Sequence, residues 1–224
     1  MMIRFFGQPK FDCRTQKLIG YEFLLRETYK GCWRLPTQVQ QFSAATLSQL
    51  LCQTIQTLPQ DLVLISFNLN QAQFVEPAFQ PLLAQVQAQT KIQLYVELTE
   101  QPTATPMAAL IQAAADFQQA GLKVCLDDVG TGANQLALVA ALAPYVVEYK
   151  FALQNFRPAM DLASLAPRLR FWRELARRQH KAFAVEGFES AADLAALNQY
   201  APMILQGYYF GKPRLLALPD DPAA

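Results

Sequence analysis

Histidine is almost absent from this 224-residue sequence, with His180 the only one. That argues against zinc centres built on several imidazoles, and it leaves any serine or cysteine triad a single candidate base. Charge is also scarce: 17% of residues are Asp, Glu, Lys or Arg, and 19 basic residues against 18 acidic give a net charge of +1. A chain so neutral has no global electrostatic basis for binding DNA or an anionic membrane. The four cysteines, Cys13, Cys32, Cys52 and Cys125, show no close-paired spacing. A chain of this size needs no disulfide staples, so they read as reduced thiols of a cytoplasmic protein. The longest apolar stretch, around Leu136 to Val147, contains Pro144 and is too short to span a bilayer. The opening MMIRFFGQPKF lacks the apolar core and cleavage site of a secretory signal. No Gly/Ser linker or low-complexity tract divides the chain, which reads as one domain over residues 1–224.

Hydrophobic residues make up 52% of the chain, enough for a buried core and incompatible with intrinsic disorder. Short β-branched or aromatic runs alternate with longer helical patterns. The candidate strands are Leu18–Leu25, Leu62–Leu69, Ile92–Leu98, Lys123–Val129, Val146–Phe151, Ala182–Phe188 and Ile204–Phe210, with Ile3–Phe11 as a further one. Apolar stripes at helical spacing lie between them: Leu47, Leu50, Leu51, Ile55 and Leu58; Met107, Leu110, Ile111, Ala114 and Phe117; Leu165, Leu169, Trp172 and Ala176. This rhythm predicts parallel βα units, either an open doubly wound sheet or a closed (β/α)₈ barrel. Both place reactive groups at the carboxyl ends of their strands.

Polar residues gather at those positions. Glu22 and Asn68 lie in the first two strong strands, Glu97 and Glu100 close LYVELTE, and Asp127 and Asp128 end KVCLDDVG. Glu148 and Lys150 follow in VVEYK, Glu186 and Glu189 in AVEGFE, and Gln206 in ILQGYYF. Unpaired carboxylates in apolar runs are costly, and several at one barrel mouth repel each other unless a cation lies among them. Hard oxygen ligands suit Mg²⁺ or Mn²⁺, and a two-metal site of this kind supports hydrolysis at phosphorus. Taken singly, strand-end acids are more often helix caps or solvated, which is how Glu27, Glu76 and Asp193 read. The basic run Arg168–Lys181 reads as the solvated face of an amphipathic helix, and Cys125 as a core residue.

Together these motifs resemble the EAL domain, the family that hydrolyses cyclic di-GMP to linear pGpG. QPKFD at Gln8–Asp12 is similar to the family's opening strand, and YEFLLR at Tyr21–Arg26 to its signature strand, with Phe23 in place of the name-giving Ala. SFNLN, ELTE, DDVGTG, VEGFE and QGYYFGKP follow in family order. The resemblance implies a (β/α)₈ TIM-type barrel whose first strand is antiparallel. It also implies metal ligation by Glu22, Asn68, Glu97, Asp127 and Asp128, with Glu186 a further ligand or acid. Glu100 would brace the loop after Asp127, Gln206 would help hold the site, and Gln8 and Arg26 would contact a guanine base and a phosphate. Cyclic di-GMP is the implied ligand; a homodimer or a protein partner is compatible with the family.

The resemblance breaks at one strand. The family expects a Lys-Ile-Asp run at positions 148 to 150, where this chain has Glu148, Tyr149 and Lys150. Residues two apart on a strand face the same side, so both charges point at the site with their order exchanged. The loop after Asp128 also differs, and the segment after Arg26 is short and lacks the family's acidic helix. The expectation is a cyclic di-GMP-binding barrel with impaired hydrolysis; the alternative is a non-catalytic nucleotide sensor or protein-binding regulator.

Overall fold

The computed structural model describes residues 2–157 and 159–221. Strands β1 (Ile3–Asp12) and β2 (Leu18–Tyr29) form a hairpin, to which β3 (Cys32–Arg34) adds an outer strand. The chain then runs α1 (Ala44–Gln56), β4 (Leu64–Leu69), α2 (Gln71–Phe74), α3 (Phe79–Gln87), β5 (Gln93–Leu98), α4 (Met107–Gln119) and β6 (Lys123–Leu126). It continues through α5 (Leu136–Leu142), β7 (Val146–Ala152), α6 (Leu162–Arg178), β8 (Ala182–Glu186) and α7 (Ala191–Leu197), and ends in β9 (Ile204–Leu205) and β10 (Arg214–Leu215). Seven strands, β2 and β4 to β9, stand side by side in parallel in that order. β1 closes the ring, pairing antiparallel with both β2 and β9. The result is a closed eight-stranded barrel with one reversed strand. No helix among the described residues is long and apolar enough to cross a membrane.

The strands are apolar on both faces because helices cover the outside while the interior is filled by side chains. Leu94, Val96, Val124, Leu126, Phe151 and Val185 are all buried. The three helical stripes read from the sequence lie on α1, α4 and α6, except Leu58, which follows the end of α1; Leu47, Leu110 and Leu169 are among their buried residues. Ser43, Asp161 and Ser190 cap α1, α6 and α7 through their side chains. The strands differ from expectation mainly at their ends. β9 is only Ile204–Leu205, because Phe210 leaves the sheet to pack on Phe11 and Phe188. Asp193 is the expected cap partner, but Glu27 is not solvated: it is buried in β2 and paired with Arg34 across the β2–β3 hairpin.

Gly20 sets how closely β2 lies against β4. It pairs with Leu64, and a Cβ at that position would stand 1.8 Å from the Leu64 carbonyl oxygen. Gly20→Ala forces the two strands apart two residues before Glu22. The expected loss is about 1–3 kcal/mol of unfolding free energy by urea denaturation.

Candidate active site

The parallel strands all deliver their carboxyl ends to the same mouth, and polar groups there line a cavity of about 440 Å³. Gln8, Glu22, Arg26, Asn68, Glu100, Asp127, Asp128 and Glu186 all border it, and Leu35, Pro36 and Val39 make one apolar wall. Gln8 is placed by its antiparallel pairing with Glu22, and Asn68 lies beside Glu97 across the β4–β5 pair. Arg26 is half-buried, its Nη1 donating to the Leu25 carbonyl at 2.9 Å and its guanidinium lying 5.8 Å from the Phe6 ring centroid. The DDVGTG turn is pinned against Glu100 through main chain: Ala133 N–H donates to the Glu100 carbonyl at 2.7 Å. A Cβ on Gly132 would come within 2.2 Å of that same oxygen.

Behind the cavity the carboxylates do not face one another. They face Lys150. Its Nζ donates to Glu97 Oε2 at 2.6 Å, Asp127 Oδ1 at 2.8 Å and Glu22 Oε2 at 3.4 Å. Glu186 Oε1 lies 3.0 Å from the same nitrogen, in ion-pair contact but without a hydrogen bond of its own. A second lysine grips the cluster from β1, Lys10 Nζ donating to Glu97 Oε1 at 2.6 Å. Glu22 is completed by amides: Asn68 Nδ2 donates to Oε1 at 2.7 Å and Gln206 Nε2 to Oε2 at 2.6 Å. Gln206 also reaches Gln8 Oε1 at 3.2 Å. Glu148, one step earlier on β7 than Lys150, is buried and does not border the cavity; its Oε1 has no hydrogen-bond partner.

Residues 3–213 match the EAL domain. The chain belongs to the EAL domain family. Among solved structures, the EAL enzyme Bd1971 in its cAMP- and cyclic-di-GMP-bound form superposes with a TM-score of 0.79 at 21% identity, over 96% of this chain and 62% of that one. The Bacillus subtilis YkuI protein, with an EAL domain, in complex with substrate c-di-GMP and calcium, gives 0.78 at 21% identity, over 95% of this chain and 56% of that one. The PaMucR phosphodiesterase in its c-di-GMP complex gives 0.78 at 21% identity, over 96% and 98%. This chain therefore spans less than two thirds of the length of the first two. At such identities the likeness is one of fold. A comparison with curated proteins gives no match.

In this EAL domain both oxygens of Glu22 and both of Glu97 already accept hydrogen bonds from protein donors. A divalent ion at their meeting point would collide with the Lys150 ammonium, so the donor set as it stands does not fit one there. Glu100, Asp127 and Asp128 are arranged differently, each offering an oxygen within 4.8 Å of the others, though Asp127 is the acid that Lys150 also holds.

The charge balance explains the electrostatics. Glu22, Glu97, Asp127, Asp128, Glu148 and Glu186 gather around Lys10 and Lys150, with Arg26 at the cavity, so the acids outnumber the cations. Burial works against the charge of Lys150, yet Asp127, Glu186, Glu22 and Glu97 outweigh it and hold the ammonium firmly protonated. Burial likewise opposes Glu97, but both lysines bind it, and its carboxyl is held at about 2. Burial, the largest cause in each case, pushes Asp127, Asp128 and Glu148 upward, and Glu186 up to about 7.

Sequence reasoning brought Gln8, Glu22, Arg26, Asn68, Glu97, Glu100, Asp127, Asp128, Lys150, Glu186 and Gln206 to this end of the barrel, and the structure places them together there. It overlooked Lys10, buried at 1% exposure. The signal was present: Lys10 stands two residues from Gln8 on one strand and so shares its inward face. Tyr208 and Tyr209 are exposed, whereas Phe210 packs on the barrel.

Glu186 gives the site a pH signature. Between its ordinary value of 4.5 and about 7, the folded chain keeps a proton that the unfolded chain has released. Stability therefore falls as pH rises through that window. In Glu186→Gln the difference in urea-unfolding free energy between pH 5 and pH 8 shrinks, by up to about 3 kcal/mol. Glu97 acts in the opposite sense, its contribution being lost only as pH falls from 4.5 towards about 2.

Proposed function

We propose that this EAL domain binds cyclic di-GMP at the barrel mouth and hydrolyses it poorly or not at all. The observation that carries this reading is the position of Lys150, whose ammonium lies among Glu22, Glu97, Asp127 and Glu186 instead of standing free to meet an attacking water. Glu148, exchanged with it in the family order, is withdrawn beneath the cavity and unavailable to a reacting phosphate. A positioned acid–base group contributes ~10²–10⁴-fold in rate, which is the scale of the expected impairment.

Binding makes different demands, and the cavity meets them. Arg26 presents a guanidinium whose planar fork suits a phosphate, and Gln8 offers an amide that can pair with a base edge. Leu35, Pro36 and Val39 give the apolar wall against which a planar base can lie. The PaMucR and YkuI structures, described as cyclic di-GMP complexes on the same fold, support the same class of ligand here.

Calorimetry with cyclic di-GMP, run beside chromatography of the reaction mixture, tests the reading. Binding without linear product is expected, and Arg26→Ala weakens it about ten- to a hundredfold, the worth of a charge-assisted hydrogen bond. The double substitution Glu148→Lys with Lys150→Asp restores the family order and is expected to raise turnover by about a hundredfold or more. Wild-type turnover that disappears in Glu22→Ala overturns the impaired-hydrolysis half.

A further inference from the structure

We infer that the ε-ammonium of Lys150 is the resident cation of this site, taking by covalent tether the position where a divalent ion would be shared by Glu22, Glu97, Asp127 and Glu186. Two observations carry it. The nitrogen has a carboxylate oxygen from each of the four acids within 3.4 Å, so it lies where their negative charge converges. Two of the four acids are closed to a competitor: each oxygen of Glu22 and of Glu97 already accepts from a protein N–H, the second oxygen of Glu97 from Lys10.

Lys10 and Lys150 act as a pair. They approach Glu97 from opposite sides of the ring, one on the reversed strand β1 and one on β7, and both are 1% exposed. An ion from solution would have to displace an ammonium that cannot diffuse away and break its contacts to all four acids. The charge that offsets these acids is therefore fixed behind the cavity, independent of the supply of divalent metal. The consequence for cyclic di-GMP affinity rests on the proposed function above; the assignment of the cation does not.

Mn²⁺ is the probe. Wild-type protein titrated with Mn²⁺ and followed by electron paramagnetic resonance is expected to show no ion whose binding depends on Glu22, so Glu22→Gln leaves the titration unchanged. Lys150→Met, of similar length but uncharged, is expected to bind one more Mn²⁺ than wild type, at least about a hundredfold more tightly than wild type binds any there. Its melting temperature should rise with Mn²⁺ and fall with EDTA, while that of wild type responds to neither. Equal Mn²⁺ stoichiometry in wild type and folded Lys150→Met overturns the inference. So does a wild-type Mn²⁺ site abolished by Glu22→Gln, which decides the matter even if Lys150→Met does not fold. Cyclic di-GMP affinity equal in EDTA and in Mn²⁺ supports it, and affinity that requires Mn²⁺ overturns it. If cyclic di-GMP binds under neither condition, the ligand reading fails and the Mn²⁺ titration alone decides the cation.

Discussion

Glu22, Glu97, Asp127 and Glu186 converge at one end of a closed barrel, where little water reaches them to screen their mutual repulsion. The ammonium of Lys150 stands among them and turns that repulsion into attraction. Much of the mouth depends on this contact. Asp127 is held at the end of β6, Glu97 is fixed between two lysines, and Glu22 is left to the amides of Asn68 and Gln206. A buried cation with this many partners stabilises only while all are present, because removing either side leaves uncompensated charge in a low-dielectric space.

The reversed strand is the second half of the same device. Because β1 pairs antiparallel with both β2 and β9, it closes the ring and carries Gln8 and Lys10 across the interior. Gln8 reaches the mouth beside Glu22, and Lys10 reaches Glu97. One strand thus supplies both a group for the cavity and a counter-charge for the layer beneath it. Gly20 lets β2 lie close enough to β4 for Glu22 to project from the same rim.

The EAL structures of similar fold share only about a fifth of their residues with this chain, a range in which backbone persists while site chemistry can be rewritten. Here a frame of carboxylates lies at the mouth, and the ammonium of Lys150 stands among them. Binding an anionic ligand needs fixed positive charge and an open cavity; activating water on phosphorus needs a positioned base as well. Under the proposed function, Arg26 at the cavity supplies the first, and Lys150 is too firmly paired to supply the second.

The sequence alone determined the family, the strand–helix rhythm and the membership of the mouth. Each of these is written locally, in motif order, in apolar periodicity and in acids that follow apolar runs. The exchange of Glu148 and Lys150 was legible for the same reason, as was the rule that both face inward. Tertiary structure decided the rest. Lys150 and Glu97 are 53 residues apart, and Lys10 and Glu97 are 87 apart, so their pairing depends on which strands become neighbours across the ring. Glu148 and Lys150 share a face, yet depth along the barrel separates them, one sealed below the cavity and the other among the acids. Lys10 was overlooked and Glu27 read as a cap or solvated because a lone charge in a strand carries no local mark of its partner. Burial made each of them depend on that partner, which the closed barrel brought to Lys10 and the β2–β3 hairpin to Glu27.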